Sequence, residues 1–278
     1  MHGTTVVITG ATSGIGAVAA ESLAAAGARV LFVARDETKA RAMVSRLIRA
    51  NPDAAHDFVL ADLSVLAEMR SAARSVLAKA SKVDVLINNA GAIFDRRETT
   101  VDGLERTFAV NHMAYFVVTE LLRPAFAPQA RVVSTASTAH AFARLDFDDL
   151  QTNRGYSAFG AYGRSKLCNI LWTRALARRL AAAGATANCV HPGGVNTGFG
   201  DNANGWLKPV MAFGKRFMIT PERGADTLIW LASSPQVLGR SGGYWARRQL
   251  VTPSAQARDD VAAERLWQAS AEIAGLPV

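Results

Sequence analysis

A chain of 278 residues that holds only two cysteines, Cys168 and Cys189, with no Cys-x-x-Cys pair, has no material for a disulfide framework. Two reduced thiols in a cytosolic chain are expected instead. Cys189 and His191 end an apolar run and read as core packing. Long hydrophobic runs are missing too: nothing approaches the roughly 18 apolar residues of a membrane span. The first strand begins at Thr4, which leaves no space for a signal peptide. The expectation is a cytoplasmic protein with no integral membrane segment. Basic residues outnumber acidic ones, 31 to 23, for a net charge of +8, yet they form no tract and do not interleave with aromatics. That pattern argues against nucleic acid as a partner and for diffuse surface arginine. His112 and His140 have no metal-ligating companion at suitable spacing, so no metal is expected.

What the chain does have is rhythm. Apolar runs at Thr4–Thr9, Arg29–Ala34, Asp57–Ala61, Val83–Asn88, Arg131–Thr135 and Thr186–His191 alternate with helix-length segments. Those segments are Ile15–Ala26, Asp36–Ala50, Val65–Ala80, Val101–Leu122 and Gly160–Ala183. Near-continuous apolar strands between helices predict a parallel sheet covered on both faces. With a helix at Pro221–Ala232, a short strand near Gly243–Trp245 and a terminal helix from about Ser254 to Ala274, the expected fold class is α/β. A single doubly wound domain over residues 1–278 is expected, its sheet having about seven strands. The rhythm breaks at 193–220, a stretch of Gly and Asn followed by large apolar side chains that reads as a substrate loop or lid.

The stretch TGATSGIG places Gly10, Gly14 and Gly16 directly behind the first strand. Strand, glycine turn and helix make a phosphate cradle: the bare backbone approaches a pyrophosphate and the first N–H groups of the helix face it. Thr12 and Ser13 add hydroxyl donors, and Ile15 opens the helix. Further along come Asn88-Asn89-Ala90-Gly91, then Ser137 in RVVSTAS, then Tyr162-Gly-Arg-Ser-Lys166. Tyr162 and Lys166 lie one helical turn apart, on one face. A nearby ammonium, with a positive nicotinamide, would favour the phenolate and bring tyrosine into acid/base range. Tyr156 has no lysine four residues later. After the second strand, Ala34 and Arg35 stand where an NAD enzyme places a carboxylate, leaving space and charge for a 2′-phosphate. NADP(H) is therefore expected, with NAD(H) as the alternative.

Taken in order, TGxxxGxG, NNAG, a serine and YxxxK resemble the short-chain dehydrogenase/reductase family, and the resemblance runs along essentially the whole chain. VVSTASTAH, YGRSKLCNILWTRALARRL with VHPGGVNT, and the tail PSAQARDDVAAERLWQASAEIAGLP are similar to the branch with retinol dehydrogenases and the WW-domain oxidoreductase. The resemblance implies a Rossmann fold and an oxidoreductase interconverting a carbonyl and an alcohol by hydride transfer. Its catalytic residues would be Asn111, Ser137, Tyr162 and Lys166. Tyr162 and Lys166 would also touch the cofactor, alongside Asp62, Leu63, Asn89, Ala90, Gly91, Pro192, Gly193, Val195 and Thr197. Ser137, Tyr162, Phe199, Trp206 and Phe213 would meet the substrate, expected to be a lipophilic aldehyde or ketone. Family analogy adds a homo-oligomer, dimer or tetramer, through the Val101–Leu122 and Gly160–Ala183 helices. Two alternatives stay open: a C=C reductase of the protochlorophyllide-reductase type, and a non-catalytic dinucleotide-sensing protein.

Overall fold

The apolar runs become the middle of one sheet. In the computed structural model, which describes residues 1–193 and 219–277, the chain forms β1 (Thr5–Thr9), α1 (Gly14–Ala25), β2 (Arg29–Ala34), α2 (Glu37–Ala50), β3 (Asp57–Leu60), α3 (Leu66–Lys79) and β4 (Val83–Asn88). Then follow α4 (Ala114–Leu122), β5 (Phe126–Thr135), α5 (Ala158–Leu180), β6 (Thr186–Val190), α6 (Pro221–Ser233), β7 (Tyr244–Ala246), β8 (Gln249–Leu250) and α7 (Asp260–Ala274). Among the described residues the sheet has eight strands in the order β3-β2-β1-β4-β5-β6-β7-β8. All neighbours are parallel except β7 and β8.

Because side chains alternate across a strand, each wholly apolar strand feeds two cores. Val6, Ile8, Val30, Phe32, Val85 and Ile87 face one core with α1, α2 and α6. Val7, Leu31, Val33, Leu86 and Val132 face the other, under α3, α4, α5 and α7. The order reverses between β1 and β4, and in open sheets of this kind a ligand cleft forms at such a switch point, outside the C-terminal ends of the strands.

The sheet agrees with the expected about seven strands plus one more: the chain turns back through Arg247 and Arg248, both at positive φ (51° and 59°), to add the two-residue β8. Two helix bounds are corrected. The helix expected from Val101 starts at Arg106, where the buried Glu105 carboxylate caps it by accepting from the N–H groups of Thr107 and Phe108. Before α4 it also passes through a π-helical stretch, Ala109–Met113. The terminal helix begins at Asp260 instead of near Ser254, since Asp259 supplies the cap by accepting from Ala262 N–H.

α7 lies across α4 and α5. Trp267 meets Phe116 edge-on at 5.1 Å between ring centroids, and Ser270 Oγ is 2.9 Å from His112 Nε2. Arg174, Arg178 and Arg179 of α5 pair with Asp260 and Glu264 of α7. The helices expected to meet a second copy are, on this face, covered by the chain itself. Among the described residues no helix is long and apolar enough to cross a membrane. Val195, Thr197, Phe199, Trp206 and Phe213, and with them nearly all of the 193–220 loop, lie outside the described residues.

Candidate active site

The glycine turn begins where β1 ends. Gly10 takes φ +71°, and a Cβ there would stand 2.8 Å from Ala90 Cα, so only glycine lets the β1 and β4 ends approach this closely. A Cβ on Gly16 would run into the Gly10 carbonyl, which keeps the first turn of α1 tight against the loop. Ser13 occupies the N-cap of α1 without making a capping hydrogen bond, and no acidic residue sits in the first turn. The donor end of a 12-residue helix therefore faces the cleft with a positive field and hydroxyls beside it.

Polar side chains at the strand ends tie the neighbouring loop down. Thr9 Oγ1 accepts from the N–H groups of Asn89 and Ala90, at 3.0 and 3.1 Å. The Asn89 amide donates to the Gly10 carbonyl at 3.1 Å, and its oxygen accepts from the Thr135 hydroxyl at 3.2 Å. β1, β4 and β5 are thus stitched together at one rim. At the end of β2, Ala34 is buried and Arg35 is exposed at the cleft wall. Asp36 caps α2 by accepting from Lys39 N–H at 3.0 Å, and among the described residues Arg35 makes no ion pair.

Ser137 directly follows the end of β5 in extended backbone, φ −159° and ψ 155°, and heads a short 3-10 turn in which its Oγ accepts from Ala139 N–H. Its hydroxyl is hydrogen-bonded to the Tyr162 phenol. Lys166 is 2 % exposed, donates to the Thr135 carbonyl at 2.9 Å, and holds its Nζ 5.6 Å from the Tyr162 ring centroid. Asn111, inside the π-helical stretch, is wholly buried; its Nδ2 donates to the Ala92 carbonyl and to Ser165 Oγ. π-turns recur at functional sites because they shift one residue out of the regular helical register.

Burial dominates the electrostatics of the two groups. Loss of hydration pushes Tyr162 up to about 12, and the Ser137 bond pulls only partly against it. Burial pushes Lys166 down to about 7. Among the protein's own groups, desolvation outweighs the attraction between phenolate and ammonium.

One cleft of about 820 Å³ gathers these groups: Gly10, Thr12, Ser13, Gly14, Ile15, Arg35, Asp62, Leu63, Asn89, Ala90, Gly91, Ser137, Tyr162, Lys166, Pro192 and Gly193 all line it. Gly16 and Asn111 stand just behind the lining, one under the turn and one behind Gly91. A glycine cradle, an uncapped helix start, an arginine at the wall and a volume of this size fit a nicotinamide dinucleotide. Tyr156 is turned elsewhere, its hydroxyl donating to the Phe94 carbonyl at 2.7 Å. The sequence reading missed Phe94, Asp95, Arg96, Glu98, Arg106 and Val110, which complete one wall. They arrive on an irregular loop after β4 that carries no periodicity. It also missed Thr9 and Thr135, though a threonine ending a buried apolar strand at the switch point is a readable signal.

Comparison with known proteins agrees with this geometry. The family described as short chain dehydrogenase matches residues 4–208. Retinol dehydrogenase 14 of Homo sapiens is 37% identical over 294 residues, spanning 99% of this chain and 88% of that protein. DnrU of Streptomyces sp. (strain C5), provisionally assigned as a daunorubicin C-13 ketoreductase, is 39% identical over 277 residues, covering 99% and 94%. Among solved structures, a short chain dehydrogenase from Burkholderia cenocepacia J2315 in complex with NADP superimposes with a TM-score of 0.70 at 25% identity, covering 93% of this chain and 99% of that one.

Proposed function

The chain belongs to the short-chain dehydrogenase family, in its retinol dehydrogenase-like branch, and from that premise we propose that it is an NADP(H)-dependent oxidoreductase interconverting a lipophilic ketone or aldehyde and its alcohol. The observation that carries this reading is the Ser137–Tyr162 hydrogen bond with Lys166 Nζ 5.6 Å from the Tyr162 ring, in the same cleft as the glycine turn. We read residues 1–278 as one cofactor-binding domain.

Gly10, Gly14, Gly16, Thr12, Ser13 and the start of α1 would hold the pyrophosphate, Arg35 the 2′-phosphate, and Asp62 with Leu63 the adenine. Bound NADP(H) would supply or accept the hydride. The chain's own residues do the rest. Ser137 orients the carbonyl oxygen by hydrogen-bonding it, and Tyr162 gives that oxygen its phenol proton as it becomes an alkoxide, or takes the proton back in oxidation. Lys166, when protonated, favours the phenolate that Tyr162 becomes on giving up its proton, and positions the ribose. Asn111 holds the loop after β4 against this group. The ketoreductase and retinol dehydrogenase relatives, and the apolar residues of 193–220, support a lipophilic carbonyl.

The test is NADPH oxidation over a panel of aldehydes, ketones and enones, with Tyr162→Phe alongside. Wild-type turnover to an alcohol, nearly abolished in the variant while NADPH still binds, is the expected result. Wild-type-like rates in Tyr162→Phe would overturn the acid assignment, and saturated carbonyl products from enones would move the enzyme to C=C reduction.

A further inference from the structure

His140 is 3 % exposed and sits three residues after Ser137. Its Nε2 accepts from Ser254 N–H at 3.1 Å, so that nitrogen carries no proton. The proton is therefore on Nδ1, which donates to the Ser137 carbonyl at 2.6 Å. The His140 backbone N–H reaches the same carbonyl at 3.2 Å. Both ring nitrogens are thus spent, one of them on the backbone of the serine itself. Burial holds the imidazole below its ordinary range, which keeps this neutral tautomer in place.

The ring is also packed from the sides. It stands edge-on to Tyr244 of β7 at 5.1 Å between centroids. On the other side, a Cβ at Gly163, next to Tyr162, would lie 2.9 Å from the Ala139 carbonyl, so the serine turn and α5 are already in close contact. A displaced imidazole would leave the Ser137 carbonyl only the longer 3.2 Å bond from His140 N–H, so the turn could loosen and shift the serine hydroxyl relative to Tyr162. An ordinary buried histidine packs against side chains; this one bridges the serine's backbone and a segment 114 residues further on.

We propose that His140 is a positioning residue, which sets the Ser137 hydroxyl against Tyr162 and makes that placement depend on the segment at Ser254. The proposal rests on the reading of Ser137 as the catalytic serine. Nothing in it requires His140 to touch substrate or to exchange a proton.

The experiment is a double-mutant cycle, measuring kcat for carbonyl reduction and the NADPH Kd in the wild type, His140→Leu, Ser137→Ala and the double variant, with His140→Asn as the conservative replacement. Misplacing one catalytic group by about 1 Å can cost a hundredfold, so His140→Leu should lower kcat by about 10- to 100-fold while the NADPH Kd stays within about twofold. Asparagine can place an amide N–H where Nδ1 was, and His140→Asn should recover kcat to within about fivefold of the wild type. In the Ser137→Ala background the leucine substitution should cost at most about threefold, because there is no hydroxyl left to misplace. An equal loss in both backgrounds, or an asparagine variant no better than the leucine one, would overturn the proposal and leave a packing role. Should the Ser137→Ala rate be too low for the cycle, the asparagine-to-leucine comparison decides by itself. A Ser137→Ala enzyme as fast as the wild type would instead sink the reading of Ser137, a result that is separately visible.

Discussion

Asn111 and Ala92 exchange a pair of hydrogen bonds: Nδ2 donates to the Ala92 carbonyl at 2.9 Å, and Oδ1 accepts from Ala92 N–H at 2.8 Å. The second Nδ2 hydrogen goes to Ser165 Oγ at 3.0 Å, so both amide donors are committed to the scaffold. Asn111→Ala would orphan a backbone donor and acceptor beside the cleft. Leaving such groups unpaired costs about 1–3 kcal/mol each when they are buried, so a total loss of about 2–6 kcal/mol in urea unfolding is expected. NADPH affinity should weaken in parallel, because Ala92 follows Asn89-Ala90-Gly91. Lost turnover with an unchanged unfolding midpoint would point to chemistry at the side chain itself.

The cofactor preference rests on Arg35. A charge-assisted contact contributes about 1.5–3 kcal/mol, so Arg35→Ala should weaken NADPH binding roughly 10- to 100-fold and leave NADH nearly unchanged. Fluorescence titration with both cofactors measures this. Equal NADPH affinity in the two proteins would remove Arg35 from the 2′-phosphate.

The two directions of the reaction should answer to pH oppositely. Burial keeps the Tyr162 proton in place up to about 12, so the donor for reduction is present throughout the neutral range. Lys166, pushed down to about 7, loses its ammonium as pH rises through that value, and the reductive rate should decline with it. Oxidation needs the phenolate and gains from alkali, so its optimum should lie at higher pH. Rate profiles in both directions with one cofactor check this; coincident optima would contradict it.

Lys166 also burdens the fold. Between about pH 7 and the ordinary alkaline range of lysine, the unfolded chain binds a proton that the folded chain releases, so stability rises with pH across that window. As pH falls through about 7, this contribution is gone and the folded chain carries a buried ammonium. Lys166→Met should therefore be inactive yet more stable at neutral pH, with a melting temperature about 2–4 °C higher and a flatter dependence on pH. A melting temperature below that of the wild type would show that the bond to the Thr135 carbonyl outweighs the burial.

Local patterns made much of this molecule legible in advance. The near-continuous apolar strands sort into the two cores because successive side chains on a strand point to opposite faces, and the spacing of Tyr162 and Lys166 is itself a statement about one helix face. Gly10, Ser137 and Asn89 were readable because each sits at the end of an apolar run. What escaped was non-local or irregular. Glu105 delays a helix by capping it with a buried carboxylate, a choice that composition does not announce. The wall formed by Phe94, Glu98 and Arg106 depends on a loop pinned through Tyr156, and the partnership of His140 with Ser254 spans most of the C-terminal half. The ammonium beside Tyr162 could be read from the sequence; the depth at which both groups are buried could not.

The position of α7 has a consequence for the order in which the molecule can be made. This 15-residue helix follows in the chain everything it covers, including Phe116 and His112 on the far side of β5. Protein domains fold as units while synthesis runs from the N-terminus. The glycine turn, the serine and the Tyr–Lys helix therefore leave the ribosome well before the helix that closes the core above α4 and α5. Until residues 260–274 emerge, a nascent chain carries all its chemical groups with that apolar face open to water.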